Sequence, residues 1–74
     1  MKKKIKDIPA FYGKKVKEFR HLRKFSQQVL AQKANLHITY ISSVERGERN
    51  ISIINVGKIA LALNFPMKDF FPEL

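Results

Sequence analysis

Small polar and methyl-bearing side chains are concentrated between Ile38 and Ser43, just before a polar, basic loop. Thr39, Ser42 and Ser43 carry hydroxyl groups that can form hydrogen bonds with the edges of bases, and Ile38 can contact the methyl group of thymine. Their spacing suits a short helix, and an α-helix fits the major groove of DNA. The chemistry that this segment favours is the recognition of bases.

Catalysis and metal binding find no comparable support. The chain has no cysteine, and its two histidines, His21 and His37, lack the spacing of metal ligands on a helix. No serine lies in a glycine elbow or beside a paired base. We therefore predict a protein that is not an enzyme and that uses no metal and no cofactor.

Two short helices joined by a tight turn are predicted to hold the polar segment. Ser26 is a typical N-cap for a helix over residues 27–34, and Asn35 tolerates the left-handed conformation that ends it. The next helix starts at about His37 and ends before Gly47, a glycine typical of helix ends. Two such helices pack nearly at right angles, so the outer face of the second protrudes. This geometry fits a DNA-binding helix-turn-helix.

The remaining segments are predicted to be helical as well. Apolar residues between Phe11 and Lys24 recur at helical spacing, although Gly13 predicts a frayed or late first turn. Ser52 is expected to cap a fourth helix that ends at Asn64, and a short turn follows Phe65. No stretch alternates as a strand would, so the predicted fold is all-α with about five helices.

The net charge of +9 is distributed unevenly over the 74 residues. Residues 1–24 carry +8 and residues 25–74 only +1. Such a basic protein attracts nucleic acid or anionic lipid. Residues 1–8 are predicted to be a basic flexible arm and residues 9–74 one DNA-binding domain; the alternative for the arm lysines is a solvated tail. No apolar run follows the arm, so a cytoplasmic protein is expected.

Several spaced segments of residues 13–71 together resemble the phage-repressor/Cro-like (XRE) helix-turn-helix family. They are Lys17-Glu18-Phe19-Arg20, Ser26-Gln27-Gln28-Val29-Leu30-Ala31, Tyr40-Ile41-Ser42-Ser43-Val44-Glu45-Arg46-Gly47 and Lys58-Ile59-Ala60-Leu61-Ala62-Leu63. Within that family, the segment from His37 to Asn50 resembles the controller proteins of restriction–modification systems. The resemblance implies a lambda-repressor-like domain and a transcriptional regulator, repressor or controller, that regulates its own operon.

The resemblance also implies roles for individual residues. Base-reading positions are Ile38, Thr39, Tyr40, Ser42 and Ser43. Phosphate-contacting positions are Gln27, Arg46, Arg49 and Asn50. Arg20 and Glu45 match a buried ion pair that ties the first helix to the third. Ile38 stands where controller proteins often have a long polar or basic residue, which predicts apolar or shape-based recognition at that position.

An apolar cluster near the end of the chain predicts self-association. A domain of this size cannot readily bury all of it, so these residues are candidates for a dimer interface: Phe65, Met67, Phe70 and Phe71. The expected partner is double-stranded DNA, bound by a homodimer at a near-palindromic operator, with no membrane role. The alternative is an antitoxin-like interaction module that binds a toxin, and RNA polymerase is a further candidate partner.

Overall fold

The computed structural model describes residues 7–72, which form four α-helices and a final 3₁₀ turn. The elements are α1 (Ile8–Leu22), α2 (Gln27–Ala34), α3 (Ile38–Glu45), α4 (Ile53–Leu63) and the turn Met67–Phe70. This confirms the all-α prediction. Most of the predicted arm lies outside the described residues. No helix within residues 7–72 has the length and apolar character needed to cross a membrane.

The first helix begins earlier than the apolar spacing predicted. A carboxylate oxygen of Asp7 accepts a hydrogen bond from the Ala10 N–H at 3.0 Å and caps the helix, whose first turn contains Pro9. Gly13 lies buried inside α1, where an added Cβ would collide with the carbonyl oxygen of Val44 in α3. The expectation of a frayed or late first turn is therefore wrong, because Gly13 permits the close approach of the two helices.

The other helix ends follow local signals. The hydroxyl of Ser26 accepts the Val29 N–H at 3.0 Å, as expected of an N-cap. Asn35 and Asn64 adopt left-handed conformations, with φ of 56° and 59° respectively, which confirms the two predicted asparagine stops. Lys24 adopts the same conformation, with φ of 60°, so α1 ends sooner than predicted.

The aromatic residues after α4 complete the core of the monomer. Phe70 is fully buried, and its ring lies 5.0 Å from that of Phe19. Phe65 stacks on Phe19 with the ring centroids 4.0 Å apart, and Phe71 stacks on Tyr12 at 5.6 Å. The prediction of Phe70 as a dimer-interface residue is therefore wrong, because its side chain is enclosed by its own chain. Phe65 and Phe71 pack against the same core and are only partly accessible.

Candidate nucleic-acid interface

Helix α3 separates a buried face from an accessible one. Ile41 and Val44 point into the core, whereas Ile38 and Thr39 are exposed at the start of the helix. His37 caps this end, and its Nδ1 accepts the Thr39 N–H at 3.3 Å. Ile38 remains 40% exposed, so a methyl-bearing side chain and a hydroxyl stand side by side on the accessible face.

Ser42, farther along α3, is half-buried and held by a side chain of α2. Its hydroxyl donates a hydrogen bond to Oε1 of Gln27 at 3.0 Å, and Nε2 of Gln27 donates to Oε1 of Glu45 at 3.0 Å. Both polar ends of the Gln27 amide are thus engaged within the protein. Gln27 therefore bridges two positions of α3, Ser42 and Glu45.

The bridge ends in a buried ion pair. Arg20 of α1 donates from Nε to Oε2 of Glu45 at 2.7 Å and from Nη2 to Oε1 at 3.0 Å, which is a bidentate arrangement. Its third hydrogen bond, from Nη1, reaches the carbonyl oxygen of Phe25 at 2.9 Å. Arg20 and Glu45 therefore connect α1 to α3, as the resemblance implied, and they orient the amide of Gln27 as well.

Ser43 lies beneath the surface rather than on it. The residue is 6% exposed, and its hydroxyl donates to the carbonyl oxygen of Tyr40 at 2.9 Å. The same hydroxyl accepts a hydrogen bond from Nε of Arg49 at 2.9 Å, and the Arg49 guanidinium lies 5.5 Å from the centre of the Tyr40 ring. Ser43 thus anchors an exposed arginine, and its burial argues against the direct base contact predicted for it.

The loop after α3 carries the remaining basic groups. Arg46, Arg49 and Asn50 are exposed. Nε of Arg46 lies 3.1 Å from Oε1 of Glu48, in a pair whose side chains are both more than half exposed. Such an exposed pair contributes little to stability and leaves Arg46 accessible to an anion.

A buried phenol lies near this surface. Tyr12 of α1 is 4% exposed, and its hydroxyl has no hydrogen-bond partner among residues 7–72. Burial raises the pKa of Tyr12 well above its usual range, and Tyr40 contributes in the same direction. Within these same residues, no three acidic or histidine side chains come together as a metal site would require.

A helix-turn-helix family model matches residues 16–70. Control protein C.BamHI of Bacillus amyloliquefaciens is 44% identical over 64 residues, which cover 85% of this chain and 79% of that protein. Control protein C.MunI of Mycoplasma sp is 34% identical over 95% of this chain and 96% of its own length. The chain belongs to the helix-turn-helix family of controller proteins. Like that family it is a DNA-binding transcriptional regulator and not an enzyme.

A solved controller protein has the same fold. The crystal structure of the restriction–modification controller protein C.AhdI from Aeromonas hydrophila matches with a TM-score of 0.82 and 35% sequence identity. The match covers 85% of this chain and 96% of that one. Within the matched residues 16–70, α2 and α3 are the two helices joined by the predicted tight turn, and α3 is thus the candidate recognition helix.

The hydrogen bonds around the recognition helix were not apparent in the sequence. Nothing in the spacing of Gln27, Ser42 and Glu45 indicated that one amide would join the other two side chains. Likewise, the sequence did not distinguish the two neighbouring serines, of which Ser42 is half-buried and Ser43 is buried. The helical period does supply a partial signal, because Ser43 lies three residues after Tyr40, whose carbonyl it contacts.

Proposed function

We propose that this protein is a cytoplasmic, sequence-specific regulator that binds a near-palindromic operator upstream of its own gene as a homodimer. The observation that carries the proposal is the division of α3 into a buried inner face and an accessible face formed by Ile38 and Thr39. The names of the controller-protein relatives support a role in regulating restriction–modification genes. Two recognition helices about 34 Å apart would enter successive major grooves.

Base recognition in this proposal comes from Ile38, Thr39, Tyr40 and Ser42. Ser43 supports it indirectly, because its buried hydroxyl holds Arg49 at 2.9 Å. Arg46, Arg49 and Asn50 would contact phosphates. Gln27 would contact a phosphate through the second hydrogen of its Nε2, because the first is donated to Glu45.

Binding of fluorescent duplexes tests the assignment. Thr39→Ala should reduce discrimination against a substituted base pair by about 1 to 3 kcal/mol at the contacted position. Arg49→Ala should instead weaken binding to every duplex and reduce the salt dependence. Wild-type protein that binds its own upstream region no better than a scrambled duplex would contradict sequence-specific function.

The dimer surface that we propose is the outer face of α4. Leu61 is 84% exposed and Ile54 is 69% exposed, and both lie on the edge that also holds Gly57. A groove of about 460 Å³ runs along this face; it is lined by Gly57, Ala60, Leu61, Asn64, Phe65, Pro66 and Met67. Among residues 7–72, no charged side chain lines this groove, so two molecules can bring these apolar surfaces together without burying a charge.

Sedimentation velocity distinguishes this surface from other exposed apolar residues. Leu61→Glu should shift the protein to a monomer, because a carboxylate would be buried in the interface. Leu22→Glu is the matched control, since Leu22 is 63% exposed on α1 and does not line the groove. A wild-type protein that is monomeric at concentrations that saturate the operator would exclude the homodimer. A tightly co-purifying protein on this face would favour the antitoxin-like alternative.

A further inference from the structure

One edge of α1 lies against the end of the recognition helix. Ala10, Gly13, Lys17 and Arg20 are separated by three, four and three residues, so they follow a single line along the helix. Three of these four residues contact α3 or the loop that follows it. The fourth, Lys17, is exposed.

The contacts on either side fix the position of Lys17. A Cβ added to Gly47, at the end of α3, would lie 3.0 Å from Cα of Ala10. Gly13 faces the carbonyl oxygen of Val44, and Arg20 binds the carboxylate of Glu45. Lys17 therefore stands on the α1 edge that borders the C-terminal end of the recognition helix.

The charges along this edge are basic. Lys14 and His21 lie one turn before and one turn after Lys17, and both are exposed. Among residues 7–72, no carboxylate lies within 4.0 Å of the Lys17 ammonium group. Lys15 differs: it points to the other side of α1, where its ammonium group lies 3.4 Å from Oε1 of Glu18.

We propose that Lys17, flanked by Lys14, binds a phosphate of the DNA backbone and extends the phosphate-binding surface from the loop after α3 onto α1. Lys17 lies about 10 Å along α1 from Ala10, which contacts that loop, so one DNA strand can reach both regions. Phosphate contacts of this kind fix the protein on the duplex and carry no base preference. This inference rests on the proposed DNA-binding function.

The test compares Lys17→Gln with Lys15→Gln in fluorescence anisotropy titrations against the upstream duplex and a scrambled duplex. A variant that neutralises one phosphate fewer should have a slope of log affinity against log salt that is shallower by about 0.9. Between 50 and 200 mM salt, its affinity should therefore fall by a factor that is about 3.5 times smaller than for the wild type. Lys17→Gln should show this reduction with both duplexes. Lys15→Gln should leave the slope close to the wild-type value, and Lys17→Arg should restore it.

Two results would overturn the inference. One is an unchanged slope for Lys17→Gln, while the separate variant Arg49→Ala still loses affinity. In that case the proposed DNA binding would stand, and only the proposed contact from α1 would be wrong. The other is an equal reduction of the slope for Lys17→Gln and Lys15→Gln, which would indicate that the overall positive charge of the protein acts on DNA without a specific contact from Lys17. If the wild-type protein bound neither duplex, the proposed function itself would fail.

Discussion

Substituting alanine for the two helical glycines should change stability in opposite directions. In an exposed helix interior, Gly→Ala stabilises by about 1 kcal/mol because alanine loses less conformational freedom on folding. Nothing lies within 4 Å of a Cβ added at Gly57, so Gly57→Ala should show this gain. At Gly13, the added Cβ would collide with the carbonyl oxygen of Val44 and lie 3.2 Å from that of Glu45.

The collision at Gly13 involves backbone atoms, which cannot rotate away as a side chain could. To relieve it, α1 and α3 must separate, and overpacking of this kind costs about 1 to 3 kcal/mol. Because the obstructing atom belongs to a helix backbone, we expect a cost near 3 kcal/mol. After subtraction of the helical gain, Gly13→Ala should destabilise the protein by about 2 kcal/mol.

Urea denaturation followed by circular dichroism measures both changes, and a thermal melt provides a second reading. For a domain of this size, a loss of about 2 kcal/mol lowers Tm by about 10 °C. The measurements belong at a concentration at which sedimentation shows a monomer, because association at Gly57 would add its own contribution. If Gly13→Ala were as stable as Gly57→Ala, the close approach of α1 to α3 would be wrong.

Three further changes test buried groups and helix ends. Tyr12→Phe should stabilise the protein by about 1 kcal/mol at neutral pH, because the buried hydroxyl has no partner among residues 7–72. Because burial raises the pKa of Tyr12, the free energy of unfolding of the wild type should stay constant up to the unfolded pKa of about 10 and fall as pH rises above it. If urea titrations showed the same loss of stability at alkaline pH in the wild type and in Tyr12→Phe, this expectation would be contradicted. Glu45→Ala should cost about 3 to 5 kcal/mol by leaving the Arg20 charge buried, whereas Glu48→Ala at an exposed pair should cost less than about 1 kcal/mol in the same denaturation assay. Asn35→Gly should be nearly neutral in thermal melts, but Asn35→Ala should destabilise by about 1 kcal/mol because alanine disfavours a positive φ; equal Tm values for the two would argue against a left-handed turn.

The sequence by itself determined the helix ends that rest on neighbouring residues. A serine N-cap forms its hydrogen bond with an N–H three residues away, as Ser26 does with Val29. Asn35 and Asn64 end their helices because their own side chains tolerate a left-handed backbone. Such signals act within one turn, so they can be read without knowledge of the rest of the chain. The helical period of the apolar residues then sufficed for the all-α class.

Only the tertiary structure decided which residues of the recognition helix face outward and what holds them. Gln27 reaches Glu45 across 18 positions of the chain, so no local pattern could specify this contact. The pair of Arg20 and Glu45, which are 25 positions apart, was implied only by the family resemblance. The burial of Ser43 beneath Arg49 likewise depends on the path of a loop. The rotation of α3, and hence the division of its polar side chains between support and an accessible surface, is set by packing against α1 and α2, because side chains distant in sequence must fill the same space.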